Sequence, residues 1–227
     1  PMSSLAAIFD LDGTLIDSYI PHFTAWKSVS NEIGHRLTES QFQQQFGRKN
    51  EPILKELHEF AGRPAPTSEQ IDRLAEAKET RYRSLIGDMF PEMPGAVSLI
   101  HQLQQSGWKI AIGSSAPRGN IDFCVERFKS LGVDFDAVAC GDDVEHGKPA
   151  PDVFLLAAAR LGVEPRGCVV LEDAVAGIDA ARNAEMGSIG VASTGRTREE
   201  LSHADRVVDC LTELCPASLA QYCGVMA

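Results

Sequence analysis

The sequence predicts an α/β protein: a doubly wound, mostly parallel sheet carrying an inserted helical subdomain. Three observations carry the prediction. Short apolar runs of strand length alternate with helix-like segments over residues 95–208. Glycines punctuate the ends of those helical segments. One long stretch, 18–91, breaks the alternation and contains helix signals only. The chain has 227 residues, 44% hydrophobic and 23% charged. That composition is ordinary for a globular protein and excludes disorder, collagen and coiled coil.

The apolar run at 5–9 has no polar interruption and reads as a strand buried on both faces. Runs at 108–113, 137–140, 168–171 and 188–191 follow, and 206–208 suits a last, edge strand. Helical segments lie between them at 95–105, 118–131, 151–161 and 175–186. Gly107, Gly132, Gly162 and Gly187 stand just past those segments, where a left-handed residue is wanted. Pro151 suits a first helical turn. Within the insert, helices are expected at 22–33, 39–46, 52–61 and 68–86, with Gly62-Arg63-Pro64-Ala65-Pro66 as a loop. The division is then a core of 1–16 and 92–227 and a helical cap of 17–91. The first strand should be central.

Composition bounds function as well. Lys and Arg number 21 against 32 Asp and Glu, a net charge of −11. So acidic a chain disfavours nucleic acid and anionic membranes. No apolar run approaches the roughly 20 residues that span a bilayer. The first apolar stretch runs straight into Asp10, so it does not read as a signal peptide. Cys124, Cys140, Cys168, Cys210, Cys215 and Cys223 form no C-x-x-C pair and read as reduced packing thiols of a cytoplasmic protein. The oligomeric state is left open, with a monomer favoured.

In an open α/β sheet the reactive groups gather at the carboxyl ends of the strands. The first run ends in Asp10-Leu11-Asp12-Gly13-Thr14. Taken alone, these acids could be a solvated turn. The second ends in Ser114-Ser115, with Arg118 at a helix start, which alone would suit an N-cap. After the third comes Gly147-Lys148-Pro149, which misses a Walker loop in spacing and in its proline. The fourth ends in Glu172-Asp173. Together the strand ends present acid pair, hydroxyl, lysine and acid pair. Converging carboxylates repel one another, and a divalent cation with a lysine relieves this. Oxygen donors with few histidines suit magnesium rather than zinc.

With these residues in place, the sequence resembles the haloacid dehalogenase superfamily, in the branch with a helical cap near beta-phosphoglucomutases and sugar-phosphate phosphatases. The resemblance covers almost the whole chain. It rests on Phe9-Asp10-Leu11-Asp12-Gly13-Thr14-Leu15, on Ser114, on Gly147-Lys148-Pro149-Ala150-Pro151-Asp152, and on Leu171-Glu172-Asp173 followed by Ala174 and Gly177. It implies a Rossmann-like core and a magnesium-dependent phosphatase of a small phosphorylated metabolite, a sugar phosphate, acting through an aspartyl phosphate. The alternative it leaves is a phosphosugar mutase. By the resemblance Asp10 is the nucleophile and Asp12 the general acid/base. Ser114 and Lys148 bind the phosphoryl oxygens, and Ser115 lies on the substrate. Asp10, the backbone carbonyl of Asp12, and Asp173 hold magnesium, with Glu172 as ligand or in support. An acid at position 12 argues against the dehalogenating and phosphonate-cleaving branches. Two positions depart from the family's pattern: Ala174, often serine, and Glu185, commonly glycine.

In the cap, His22 to Lys27 is similar to a mutase segment whose histidine works beside the general acid/base, although His22 could equally pack in an amphipathic helix. Trp26 reads as cap core. Lys78 falls where mutases keep a substrate lysine. Gly47-Arg48-Lys49-Asn50-Glu51 has Asn50 where a mutase arginine grips the distal phosphate, with Arg48 and Lys49 beside it. His22, Arg48, Lys49 and Lys78 are therefore the expected substrate contacts of the cap.

Overall fold

The chain divides into two compact units, Pro1–Asp17 with Glu92–Ala227, and Ser18–Pro91. The computed structural model describes residues 4–87, 90–193 and 195–224. Positions 1–3, 194 and 225–227 of the expected core, and 88–89 of the expected cap, lie outside the described residues.

The Ser18–Pro91 unit is helical: α1 (Tyr19–Ile33), α2 (Glu39–Gln45), α3 (Asn50–Phe60) and α4 (Ser68–Ile86). The helices α2 and α4 begin in reciprocal capping boxes, Thr38 with Gln41 and Thr67 with Gln70. Each box satisfies two backbone N–H groups that a helix start would otherwise leave without acceptors. The apolar faces meet in a core of Tyr19, Trp26, Phe42, Phe46, Leu54, Leu57 and Leu74. Tyr19 and Phe42 lie 5.0 Å apart between ring centroids. Trp26, 2% exposed, belongs to this core as its pattern predicts.

The second unit is built on one six-stranded sheet: β1 (Ala6–Phe9), β2 (Lys109–Gly113), β3 (Ala137–Ala139), β4 (Cys168–Glu172), β5 (Gly187–Val191) and β6 (Arg206–Val208). The order is β3-β2-β1-β4-β5-β6 and every pairing is parallel. Each strand ends within one residue of its expected limits. β1 lies inside the sheet, between β2 and β4, and all four of its residues are buried. Helices α5 (Ala96–Gln105), α6 (Arg118–Ser130), α7 (Asp152–Leu161) and α8 (Val175–Asn183) connect the strands. A short α9 (Pro216–Ala220) is an addition to the expected set. Ile8, Val170, Phe154, Ala157, Ala180 and Met186 share one buried cluster. The chain leaves and re-enters this unit at neighbouring points, since Met93 N–H donates to the Leu15 carbonyl at 2.8 Å.

Two helix-end expectations change. Pro151 stands immediately before α7, at its N-cap, rather than inside the first turn. Gly107, Gly132 and Gly162 do have positive φ, but Gly187 opens β5 and does not. Instead α8 stops at Asn183, and Glu185 takes the left-handed conformation at φ 57°. Its N–H reaches the Arg182 carbonyl, and that of Met186 reaches Ala181, each at 3.0 Å. A side chain there costs about 1–2 kcal/mol relative to glycine, which is a physical reason for the glycine that the resemblance leads one to expect at this position. Gly187 is needed for space, because a Cβ would lie 2.2 Å from the Tyr222 carbonyl oxygen.

Candidate active site

The strand register gathers the acids. Phe9 is level with Ile112 on one side and Leu171 on the other, and Asp10 N–H continues the pairing to the Leu171 carbonyl at 2.9 Å. Asp10 and Glu172 therefore emerge side by side, with Asp173 next. Carboxylate oxygens of Asp10, Glu172 and Asp173 lie within 4.8 Å of one another. All three residues are buried. The Lys148 ammonium donates to Asp10 Oδ1 at 2.5 Å and Glu172 Oε2 at 2.6 Å, and sits 4.7 Å from the Phe154 ring centroid. Burial and the Glu172 carboxylate push Asp10 up to about 7, with Lys148 pulling the other way. Burial, Glu172 and Asp10 likewise hold Asp173 well above the usual carboxylate range. Burial alone would lower Lys148, but Asp10 and Glu172 outweigh it and raise the ammonium.

Backbone close approach shapes the rest. Gly13 has φ 84°, and a Cβ on it would lie 2.2 Å from Asp173 Oδ2. Asp173 thus packs directly on the Asp12–Gly13 turn. The Ser193 hydroxyl, just past β5, donates to the Gly13 carbonyl. Glu172 Oε1 accepts from the Ala174 N–H at 3.0 Å, and its carboxyl lies where a Cβ on Gly177 would be, 2.0 Å from Cδ. Ala174 is the N-cap of α8 and supplies no side-chain cap, so α8 lacks the acceptor, worth about 1 kcal/mol, that a serine would offer there. Gly13→Ala combines a left-handed strain with a clash on a buried acid. It is expected to destabilise the fold by about 2 kcal/mol or more and to weaken magnesium-dependent stabilisation. Chemical denaturation with and without magnesium checks both; wild-type behaviour in both would remove the turn from the site.

Among the described residues, Asp173 Oδ2 is one of few buried side-chain oxygens with no hydrogen-bond partner. Leaving such an atom unsatisfied costs about 1–3 kcal/mol. An oxygen-only cluster of three carboxylates containing this atom fits a hard divalent cation such as magnesium.

The remaining expected residues fall in two groups. Asp12 is partly exposed, and its carboxyl is not among the three clustered ones, yet its charge raises Asp10. Ser114 is buried, with Oγ accepting from Ala116 N–H at 3.2 Å, and Ser115 is partly exposed beside it. His22, Arg48, Lys49 and Lys78 belong to the Ser18–Pro91 unit. There His22 is buried and stacked on Tyr82, ring centroids 3.8 Å apart. Lys78 is buried, paired with Glu79 at 2.9 Å, and lies over the Trp26 and Tyr82 rings at 5.2 and 5.3 Å. Arg48 pairs with Glu56 at 2.8 Å. Lys49 is the N-cap residue of α3. Asn50 donates to Glu79 at 2.7 Å. Phe154 and Ser193 escaped the sequence reading. The end of the fifth strand would have pointed to Ser193, had it been read like the other four.

The haloacid dehalogenase-like hydrolase family model matches residues 5–185. The beta-phosphoglucomutase of Bacillus subtilis is 35% identical over 189 residues, 82% of either chain. Validoxylamine A 7'-phosphate phosphatase of Streptomyces hygroscopicus subsp. limoneus is 34% identical, over 92% of this chain and 94% of that one. The crystal structure of a beta-phosphoglucomutase from Clostridium difficile superposes with a TM-score of 0.85 at 30% identity, covering 96% of each chain.

Proposed function

The chain belongs to the haloacid dehalogenase-like hydrolase family and is a phosphoric monoester hydrolase, and on that premise we propose that it is a magnesium-dependent phosphatase of a small phosphorylated metabolite, a sugar phosphate, working through an aspartyl phosphate. The observation that carries this is the buried set of Asp10, Glu172 and Asp173 with Lys148 on two of them. Burying three acids around one lysine is costly for a fold and is explained by chemistry on a phosphoryl group.

An oxygen of Asp10 attacks phosphorus while the bond to the leaving oxygen breaks, and Asp12 gives that oxygen a proton. Water then attacks the aspartyl phosphate, Asp12 takes its proton, and inorganic phosphate leaves with Asp10 restored. Ser114 and Lys148 bind the phosphoryl oxygens throughout, and Ser115 lies beside them. Asp10, Asp173 and the Asp12 carbonyl, helped by Glu172, would hold magnesium, which when bound offsets the carboxylate repulsion and the charge of the phosphoryl group. The enzyme is read as cytoplasmic, with a small phosphorylated molecule as its partner and neither nucleic acid nor membrane.

Chelation with EDTA is expected to abolish phosphate release, and magnesium to restore it. The stability effect has a sign. Asp10 is raised from 3.8 to about 7, so its contribution favours the metal-free fold fully below about 3.8 and is lost as pH rises through about 7. Magnesium should therefore raise the melting temperature more at about pH 8 than at about pH 5. A shift independent of pH would count against these acids as its site.

The expected roles of His22, Arg48, Lys49 and Lys78 are to select the substrate beyond its phosphate. Arg48→Ala, Lys49→Ala and Lys78→Ala should weaken turnover of the physiological substrate, and that of p-nitrophenyl phosphate much less. Equal losses on both would remove the cap from specificity. A phosphosugar mutase is the second reading, favoured by the mutase names among the relatives. It needs a second phosphate site, whereas Arg48 and Lys78 are each held by a glutamate and Asn50 is no cation. A screen of phosphorylated sugars for phosphate release, run beside a test for conversion of glucose 1-phosphate to glucose 6-phosphate, separates the two.

A further inference from the structure

The stretch between β3 and α7 holds Lys148, and five residues earlier a half-buried acid is held by several bonds at once. Asp143 Oδ2 accepts three hydrogen bonds: from Arg118 Nη2 of α6 at 2.6 Å, from Arg160 Nη1 of α7 at 2.8 Å and from the Cys140 N–H at 3.0 Å. Arg160 also donates to the Val138 carbonyl of β3. The neighbouring Asp142 accepts the Arg118 backbone N–H at 2.8 Å. These bonds clamp the turn at Gly141–Asp143 between two helices and the end of a strand. They outweigh burial and hold the Asp143 carboxyl well below the usual carboxylate range.

The clamped turn also meets the serine loop backbone to backbone. Gly141 N–H donates to the Ala116 carbonyl at 3.0 Å, and a Cβ on Gly141 would lie 2.4 Å from the Ser115 carbonyl oxygen. Ser114 N–H in turn reaches the Ala139 carbonyl at 3.1 Å. Downstream, Lys148 is held at its ammonium by Asp10 and Glu172, and its segment by bonds from Ala150 N–H to the Gly147 carbonyl at 3.0 Å, between His146 and Asp152 at 3.3 Å and from Asn183 to the Pro149 carbonyl at 3.0 Å. The Asp143 turn thus touches the serine loop on one side and leads on, five residues later, to Lys148.

We propose that Asp143 is a positioning residue, which through Arg118, Arg160 and the Gly141 contact fixes Ser114 and Ser115 relative to Lys148, so that the two loops grip one phosphoryl group together. This rests on the phosphatase reading above. Asp143 touches no reacting atom. It acts on the geometry of groups that bind phosphoryl oxygens and is not one of the clustered acids Asp10, Glu172 and Asp173. Its loss should therefore weaken oxyanion binding while sparing the metal response.

The experiment measures KM, inhibition by inorganic phosphate, and the magnesium-induced shift in melting temperature without phosphate. Asp143→Ala is expected to raise KM and the phosphate inhibition constant about tenfold, as small misplacements of binding groups do, with the magnesium shift unchanged. Asp143→Asn, which keeps an acceptor oxygen, should fall between. Arg160→Leu removes the bond to Asp143 and the bond to the Val138 carbonyl from an exposed side chain, and should raise the same constants about threefold, less than loss of the carboxylate, because Arg118 and the Cys140 N–H still hold Asp143. Added to Asp143→Ala it should do little further harm, because only the bond to the Val138 carbonyl is then left for it to remove. If Asp143→Ala fails to fold, Asp143→Asn and Arg160→Leu carry the test. Unchanged phosphate inhibition in the folded variants, or parallel losses of phosphate and magnesium response, would overturn the proposal. A wild-type protein that releases no phosphate from any phosphorylated sugar would instead overturn the phosphatase reading, and the proposal with it.

Discussion

Asp10→Asn is expected to reduce phosphate release by about 10³-fold or more, the scale seen when a nucleophile is removed from an assembled site, while the protein stays folded. The amide conserves the volume of the carboxyl but cannot form an acyl phosphate by attack on phosphorus. It also removes one of three buried acids that lie within 4.8 Å of each other. In the metal-free protein at neutral pH that is a relief, because burial and Glu172 already resist the Asp10 charge. Lys148 keeps its bond to Glu172. The variant should therefore melt at or above the wild-type temperature without magnesium and gain less from adding it. Melting curves with and without magnesium, beside single-turnover phosphate release, measure this. Activity within about tenfold of wild type would sink the aspartyl-phosphate mechanism.

Most of this arrangement is legible in the sequence, for a physical reason. A residue at the end of a buried parallel strand has few ways to be solvated, so acids there announce a partner. Asp10, Glu172 and Asp173 could thus be read from their position after apolar runs. Lys148, 138 residues from Asp10, could be read because strand ends of one sheet must share an edge. What escaped reading uses ordinary residue types. Ser193 and Phe154 bear on the site through one hydroxyl and one ring face, and neither type is unusual where it stands. Glu185 stands out only through the resemblance, since helix ends are otherwise sought at glycines, and the nearest glycine serves a close approach to Tyr222 instead. The pairing of Lys78 with Glu79, adjacent in sequence and both buried, defeats helical periodicity, which places neighbours on different faces. Pattern finds what a fold must bury, and misses contacts made by side chains that could have pointed elsewhere.

Lys148→Met is expected to cost both stability and turnover, and the pH dependence tells why. The Lys148 side chain is 5% exposed, and its ammonium lies 2.5 and 2.6 Å from two carboxylates that are themselves buried. Methionine nearly fills the space and keeps a contact with Phe154, so packing changes little and the charge effect stands apart. Removing one partner of such a buried set typically costs about 3–5 kcal/mol. Without the lysine, Asp10 loses the nearest group that pulls its pKa down, and it should rise further above about 7. A carboxyl raised in the folded state is unpenalised below its unfolded value of 3.8 and opposes folding progressively as pH rises. The stability gap between wild type and variant should therefore be small near pH 4 and widen up to about pH 8, with magnesium closing part of it. Turnover should fall about 10²–10³-fold, the usual scale for losing a fixed charge on a developing oxyanion. Lys148→Arg should recover the stability better than the activity, because a planar guanidinium supplies charge without the compact ammonium geometry. A Lys148→Met protein as stable as wild type at about pH 8 would mean that the three acids are already neutral there, and that the lysine is not what makes their burial tolerable.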